Sequence, residues 1–150
     1  HEADLGDAAA GVLRTVQQYS ERAHAEDRRP GDLFRAWLAA MRAEQFEVGK
    51  RLADELQQQH PDSAEWRFVD VARGGARALG VAGVEACRDG LDDLPAEYSA
   101  MLAGAQLEAG LLPAAVATAD AGLARAPGLV VVRRIAAVAY HSCVLGSPSG

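Results

Sequence analysis

Arginines recur beside large apolar residues along the chain, and their side chains could bind carboxylates. Arg35 and Arg67 each follow an aromatic residue directly, and Arg133 follows Val132 in the same way. A guanidinium group pairs with a carboxylate through two parallel hydrogen bonds, so a row of arginines would suit an acidic peptide. Arginines placed by chance on exposed helix surfaces would look the same, and that alternative remains open at this point.

A second basic segment, Arg73-Gly74-Gly75-Ala76-Arg77, could bring an anionic group close to the backbone. Glycine has no side chain to block such an approach, and the arginines would supply the charge. A kink or a site of close helix packing is the alternative interpretation of the paired glycines.

The other polar residues predict less chemistry. The histidines are scattered over positions 1, 24, 60 and 141. Cys143 stands near a base in the run 140–143, but consecutive helix residues point about 100° apart. The acidic residues around Pro95 fit a solvated turn better than a cation site. Because no phosphate loop, HExxH motif or nucleophile elbow occurs, we expect no catalytic residue, no metal and no cofactor.

The composition is that of a folded, soluble, helical protein. Hydrophobic residues make up 49% and aromatic residues only 5%, and alanine, the best helix former, is abundant. The net charge of −6 offers no basic surface for nucleic acid, and two arginines interrupt the apolar run 129–145, which argues against direct membrane insertion. Cys87 and Cys143 lack metal-binding spacing and are expected to be reduced in a cytoplasmic protein.

Helical periodicity runs through the whole chain, broken by proline and glycine. Eight helices are predicted, over about 3–27, 33–43, 46–59, 63–79, 81–93, 95–109, 113–126 and 129–145. Asp32 is expected to cap the second helix, and Asp62 with Glu65 resembles a capping box at the start of the fourth. The short connections make successive helices antiparallel neighbours.

A longer period is superimposed on the helical one. Phe34, Trp66 and Tyr98 are spaced by 32 and 32 residues, near the start of successive helix pairs. The prolines that close the pairs, and small residues and leucines of the second helices, repeat similarly: Pro30, Pro61, Pro95 and Pro127; Gly83 and Ala115; Cys87 and Ala119; Gly90 and Gly122; Leu91 and Leu123. Repetition of this kind indicates a stack of helix pairs.

In these features the chain resembles the tetratricopeptide repeat family over roughly 32–145. The resemblance implies an all-α, right-handed α-solenoid of about three antiparallel helix pairs in a single domain, 1–150. The predicted units are 32–61, 62–95 and 96–127, preceded by an N-terminal helix at 3–27 and followed by a capping helix at 129–145. Such a stack has a concave face that binds extended peptides or a helix.

The resemblance also implies which residues face that groove. They are the residue after each aromatic, with Val132 standing in for a fourth aromatic, and the residue seven positions later; Ser99 breaks the arginine series, and Gly74 is the seventh residue after Arg67. The predicted peptide-binding set, which includes Arg73, is Arg35, Arg42, Arg67, Arg73, Gln106, Arg133 and Tyr140. The family's carboxylate clamp of lysine and asparagine is not found. We therefore expect a non-enzymatic scaffold that binds another protein or peptide with acidic groups. A self-associating or chaperone-type module, forming a homo-oligomer or holding a secretion substrate, is the alternative.

Overall fold

Seven α-helices and no strand occur in the part of the chain that the structure describes. The computed structural model describes the backbone of residues 28–146 and the side chains of that range except those of 75–78 and 146. The helices are α1 (Pro30–Arg42), α2 (Phe46–Gln59), α3 (Ala64–Asp70), α4 (Ala76–Ala86), α5 (Glu97–Glu108), α6 (Leu112–Arg125) and α7 (Val130–Gly146). The all-α prediction is confirmed for this range. The predicted helix at 3–27 lies outside it.

The chain divides into two compact units, the first ending at Val69 and the second starting at Asp70. This boundary falls within the predicted unit 62–95. In the first unit, α1 packs against α2. Leu33, Leu52 and Leu56 are almost fully buried between them. The ring of Phe34 stacks on Trp37 and meets the edge of Phe68, with centroids 6.1 and 5.3 Å apart.

The helix starts in this unit differ in detail from the predictions. Helix α1 begins at Pro30, whose fixed φ and missing N–H suit the first helical position, so Asp32 lies in the first turn and does not cap it. Before α3, the cap is Ser63. Its hydroxyl accepts a hydrogen bond from the backbone N–H of Trp66 at 3.0 Å, so the cap lies one residue after Asp62.

The helix predicted over 63–79 is interrupted. Helix α3 ends at Asp70 and continues into a π-helical turn, Val71–Gly75, in which Gly74 has φ 148°. That conformation is readily available only to glycine, so the paired glycines mark a kink. The break expected at Gly80 is present, with φ 71° and ψ −173° inside α4. Helix α4 ends at Ala86, short of the predicted residue 93.

In the second unit, α5 packs against α4, α6 and α7, and α6 packs against α7. The core between α5, α6 and α7 consists of small side chains: Ala103, Ala115, Ala119, Ala136 and Ala139. Partly buried Leu107, Val116, Leu123 and Ile135 surround it. Alanine allows helix backbones to approach closely, so the alanine-rich composition is explained here by packing as well as by helix propensity.

The backbone of the chain repeats at an offset of 66 residues. Helices α2 and α6 both have 14 residues, and their N-caps, Gln45 and Leu111, have φ, ψ of −90°, 70° and −90°, 67°. The turn hydrogen bonds match as well: the N–H of Gln45 donates to Ala40 at 2.8 Å, and that of Leu111 to Gln106 at 2.9 Å. Between 29–67 and 95–133 the turn and cap hydrogen bonds match position by position with one exception: the N–H of Leu33 donates to Arg29, whereas that of Ser99 donates to Ala96.

This backbone register differs by two residues from the aromatic spacing. Phe34 and Tyr98 are 64 positions apart, so the residue that corresponds to Phe34 at the backbone offset is Ala100. All three residues are buried. Trp66 and Val132, by contrast, are 66 positions apart and follow the backbone register.

Candidate functional site

The arginine of α1 nearest its start, Arg35, is paired within its own helix. Its Nη2 atom lies 2.7 Å from Oδ1 of Asp32, one turn earlier, and the side chains are 66% and 31% exposed. An exposed pair of this kind contributes only about 0.3–0.5 kcal/mol. The ion pair therefore holds the Arg35 side chain only weakly.

The other predicted arginines of the first unit, Arg42 at the end of α1 and Arg67 in α3, are exposed. The backbone N–H of Arg67 donates to the carbonyl oxygen of Ser63 at 3.1 Å, which fixes Arg67 in the first turn of its helix.

In the second unit, Arg133 occupies the place that corresponds to Arg67. Its N–H donates to the carbonyl oxygen of Leu129, also at 3.1 Å, and its side chain is likewise exposed. The sequence predicted that Arg67 and Arg133 are equivalent because they follow Trp66 and Val132. Their backbone hydrogen bonds are equivalent as well. Arg73 is exposed in the π-helical turn.

Gln106 lies on the packed side of α5. At the backbone offset it corresponds to Ala40, which is fully buried, whereas Arg42 corresponds to Glu108. The side chain of Gln106 is half-buried, and its Oε1 atom is buried without a hydrogen-bond partner among the described residues. The spacing of 64 residues between Phe34 and Tyr98 predicts that Gln106 is equivalent to Arg42. The backbone offset is 66 residues, so Gln106 is equivalent to Ala40 instead and lies on a different side of its helix.

Tyr140 donates its hydroxyl to Oδ1 of Asp120 on α6. This hydrogen bond to a carboxylate raises the pKa of Tyr140, with smaller contributions from desolvation and from the charge of Asp120. The Tyr140 side chain therefore points towards α6. Arg35 and Tyr140 thus each contact an acidic side chain of their own unit.

A surface that the sequence analysis did not single out is the outward face of α7. Its large apolar side chains are exposed: Val130, Val131, Val138, Val144 and Leu145. The signal in the sequence is the recurrence of Val131, Val138 and Leu145 every seven residues, which places them on one side of a helix. The sequence predicts a capping helix here, with Arg133 and Tyr140 as peptide-binding residues, and does not predict an apolar surface.

Among the residues described, no three histidine, cysteine, aspartate or glutamate side chains converge to hold a metal ion. The acidic residues around Pro95 make one described ion pair, between Asp93 Oδ1 and Arg125 Nη2 at 3.6 Å. None of the helices between residues 28 and 146 is both long enough and apolar enough to span a membrane.

No family model, no curated protein and no solved structure matches the chain.

Proposed function

We propose that the chain is a non-enzymatic protein- or peptide-binding module of the tetratricopeptide-like class. The observation that supports this most directly is the backbone offset of 66 residues, which places Arg67 and Arg133 at equivalent, exposed positions. A recurring helix pair with a recurring surface charge is typical of repeat proteins that bind extended ligands. The predicted solenoid and its concave groove are part of this proposal.

The ligand we propose is a peptide with carboxylates spaced along it. Arg67 and Arg133 are exposed, and each offers a planar group that binds a carboxylate through two hydrogen bonds. Within the first unit, Arg35 would bind a further carboxylate in exchange for Asp32. The apolar and alanine-lined interior of each unit serves to hold these helices in place.

The experiment is selection of a random peptide library displayed on phage against the purified chain. We expect enrichment of peptides rich in aspartate and glutamate, and about tenfold weaker binding of a selected peptide by the double variant Arg67→Glu, Arg133→Glu. The matched control is Lys50→Glu, Arg51→Glu, which changes the net charge equally at two exposed positions of α2.

Equal losses in both double variants would mean that only net charge matters, and enrichment of basic or purely apolar peptides would exclude the arginine-based ligand. Sedimentation of the chain at several concentrations tests the alternative. An oligomer that the same double variant leaves unchanged would favour a self-associating module.

A further inference from the structure

Helix α7 presents an apolar row to solvent. Val131, Val138 and Leu145 are 44%, 51% and 72% exposed, and each is seven residues from the next, so they differ by only about 20° around the helix axis. About 100° further round the helix, α7 is packed in the second unit, with Val132 and Ala139 fully buried. Large apolar residues gathered on one exposed face mark an interaction site more often than scattered ones do.

The charged residue of α7 beside this row, Arg134, is positive. Arg134 and His141 are exposed and lie within about 60° of the apolar row. The sequence of α7, VVVRRIAAVAYHSCVLG, contains no aspartate or glutamate, although the whole chain has a net charge of −6. The ligand that complements this face is therefore apolar along one line and acidic beside it.

This face is distinct from the residues of the proposed function. Arg133 and Tyr140 each lie two residues beyond a member of the apolar row, so they are turned away from it by about 160° around the helix. Tyr140 is moreover directed to Asp120 on α6. A ligand on the apolar row and a ligand at Arg133 would occupy different sides of α7.

We propose that this face of α7 binds an amphipathic helix of a partner protein. The partner's apolar residues cover Val131, Val138 and Leu145, and its carboxylates face Arg134 and His141. Seven-residue spacing on both helices lets the two rows meet along several turns. This inference goes beyond the proposed function, which concerns Arg67 and Arg133.

A second copy of α7 is a poorer occupant. An antiparallel pair centred on Val138 would cover Arg134 of each copy with a helix that has no carboxylate to pair with it. A charged group that loses water without gaining a partner disfavours such a pair. The positive charge of Arg134 therefore favours an acidic partner helix over a second copy of α7.

Two synthetic peptides test the proposal on the full chain. Both form helices of three heptads with the same leucine row, and they differ only in whether glutamates or lysines border that row. We expect the glutamate peptide to bind at least ten times more tightly than the lysine peptide in a fluorescence anisotropy titration, and the difference to shrink in high salt.

Variants at exposed positions locate the binding site without disturbing the core. Val138→Ser should weaken binding of the glutamate peptide about tenfold, whereas Phe46→Ser, at an exposed apolar residue of the first unit, should leave it unchanged. Arg134→Glu should reverse the preference and favour the lysine peptide. Arg51→Glu, an equal change of charge at an exposed position of α2, should retain the preference for the glutamate peptide.

Several results would overturn the proposal: no binding of either peptide, equal binding of both, or equal effects of Val138→Ser and Phe46→Ser. A concentration-dependent dimer that Val138→Ser dissociates would show that a second copy is the true occupant. Circular dichroism of each variant establishes that the helices are intact when binding is measured.

Discussion

Gly122 on α6 lies so close to Ser99 on α5 that a methyl group on its α-carbon would come within 2.8 Å of the Ser99 Cβ atom. Val132 Cγ1, on α7, would be 3.1 Å away. The Ser99 Cβ is fixed to the backbone and cannot rotate aside. One glycine therefore determines how closely three helices of the second unit approach one another.

We expect Gly122→Ala to destabilise the second unit by about 1–3 kcal/mol, because helices that are packed at this distance must move apart. The gain in helix propensity, at most about 1 kcal/mol, does not compensate for this loss. Urea unfolding followed by circular dichroism measures the change.

Gly104→Ala is the matched control in the same unit. A methyl group there would meet only Ile135 Cδ1, at an ordinary contact distance of 3.8 Å. This variant should be stabilised by about 0.5–1 kcal/mol, since alanine is the better helix former. Equal destabilisation of both variants would contradict the close approach at Gly122.

The turns between α1 and α2 and between α5 and α6 offer a second matched pair. Glu44 and Gly110 occupy equivalent places, with φ 59° and 76°. A left-handed conformation costs a residue with a side chain about 1 kcal/mol. We expect Glu44→Gly to raise the free energy of unfolding by about this amount and Gly110→Ala to lower it similarly. Changes of the same sign in both variants would refute the equivalence of the turns.

The cap of α3 can be tested by two neighbouring substitutions. Ser63→Ala removes the oxygen that accepts the Trp66 N–H, and should cost about 1 kcal/mol of stability in thermal or urea unfolding. Asp62 is exposed and precedes the cap, so Asp62→Ala should change stability by less than about 0.5 kcal/mol. A larger loss of stability in Asp62→Ala than in Ser63→Ala would show that Asp62 is the capping residue.

The hydrogen bond between Tyr140 and Asp120 predicts a pH dependence. It holds the pKa of Tyr140 above the ordinary value of 10.0. Because the pKa is higher in the folded than in the unfolded chain, the stabilisation is complete below pH 10 and is lost as the pH rises through the folded-state pKa. The stability advantage over Tyr140→Phe should therefore shrink in alkaline solution.

Ultraviolet titration of tyrosinate measures that pKa directly. We expect Asp120→Asn to move the Tyr140 step to lower pH, with Tyr140→Phe used to assign the step. Tyr98 is an internal reference, since its pKa is raised chiefly by burial and is opposed by Arg88, whose guanidinium lies 5.6 Å from the ring centre. A Tyr140 step that Asp120→Asn leaves in place would disprove the assigned cause.

The sequence predicted the helices with strong periodicity and clear breaks. Helix α2 has the predicted bounds, Phe46–Gln59, and α6 begins and ends one residue from prediction. The region 70–93 was predicted less well, because its alanine- and glycine-rich sequence is compatible with a helix, whereas Gly74 has φ 148° and α4 ends at Ala86. Only tertiary packing decides whether such glycines continue a helix or bend it.

The candidate site was predicted unevenly for a related reason. The equivalence of Arg67 and Arg133 could be inferred because Trp66 and Val132 keep the backbone spacing. Gln106 was predicted to face the groove by counting from Tyr98, which lies two positions before the residue equivalent to Phe34 in the backbone. A shift of two residues turns a side chain by about 200° around a helix. The exposure of Val138 depends on which neighbours cover α7, and periodicity alone does not specify them.

The backbone hydrogen bonds at Ser63 and at Leu129 are equivalent, which has a consequence for internal duplication of the coding sequence. Copying the block from Ser63 to Gly128 and inserting it after Gly128 would join segments whose peptide conformations already agree. Both junctions would use a turn that the chain already contains. Tandem duplication in this frame therefore adds length without altering local chain geometry at the seams.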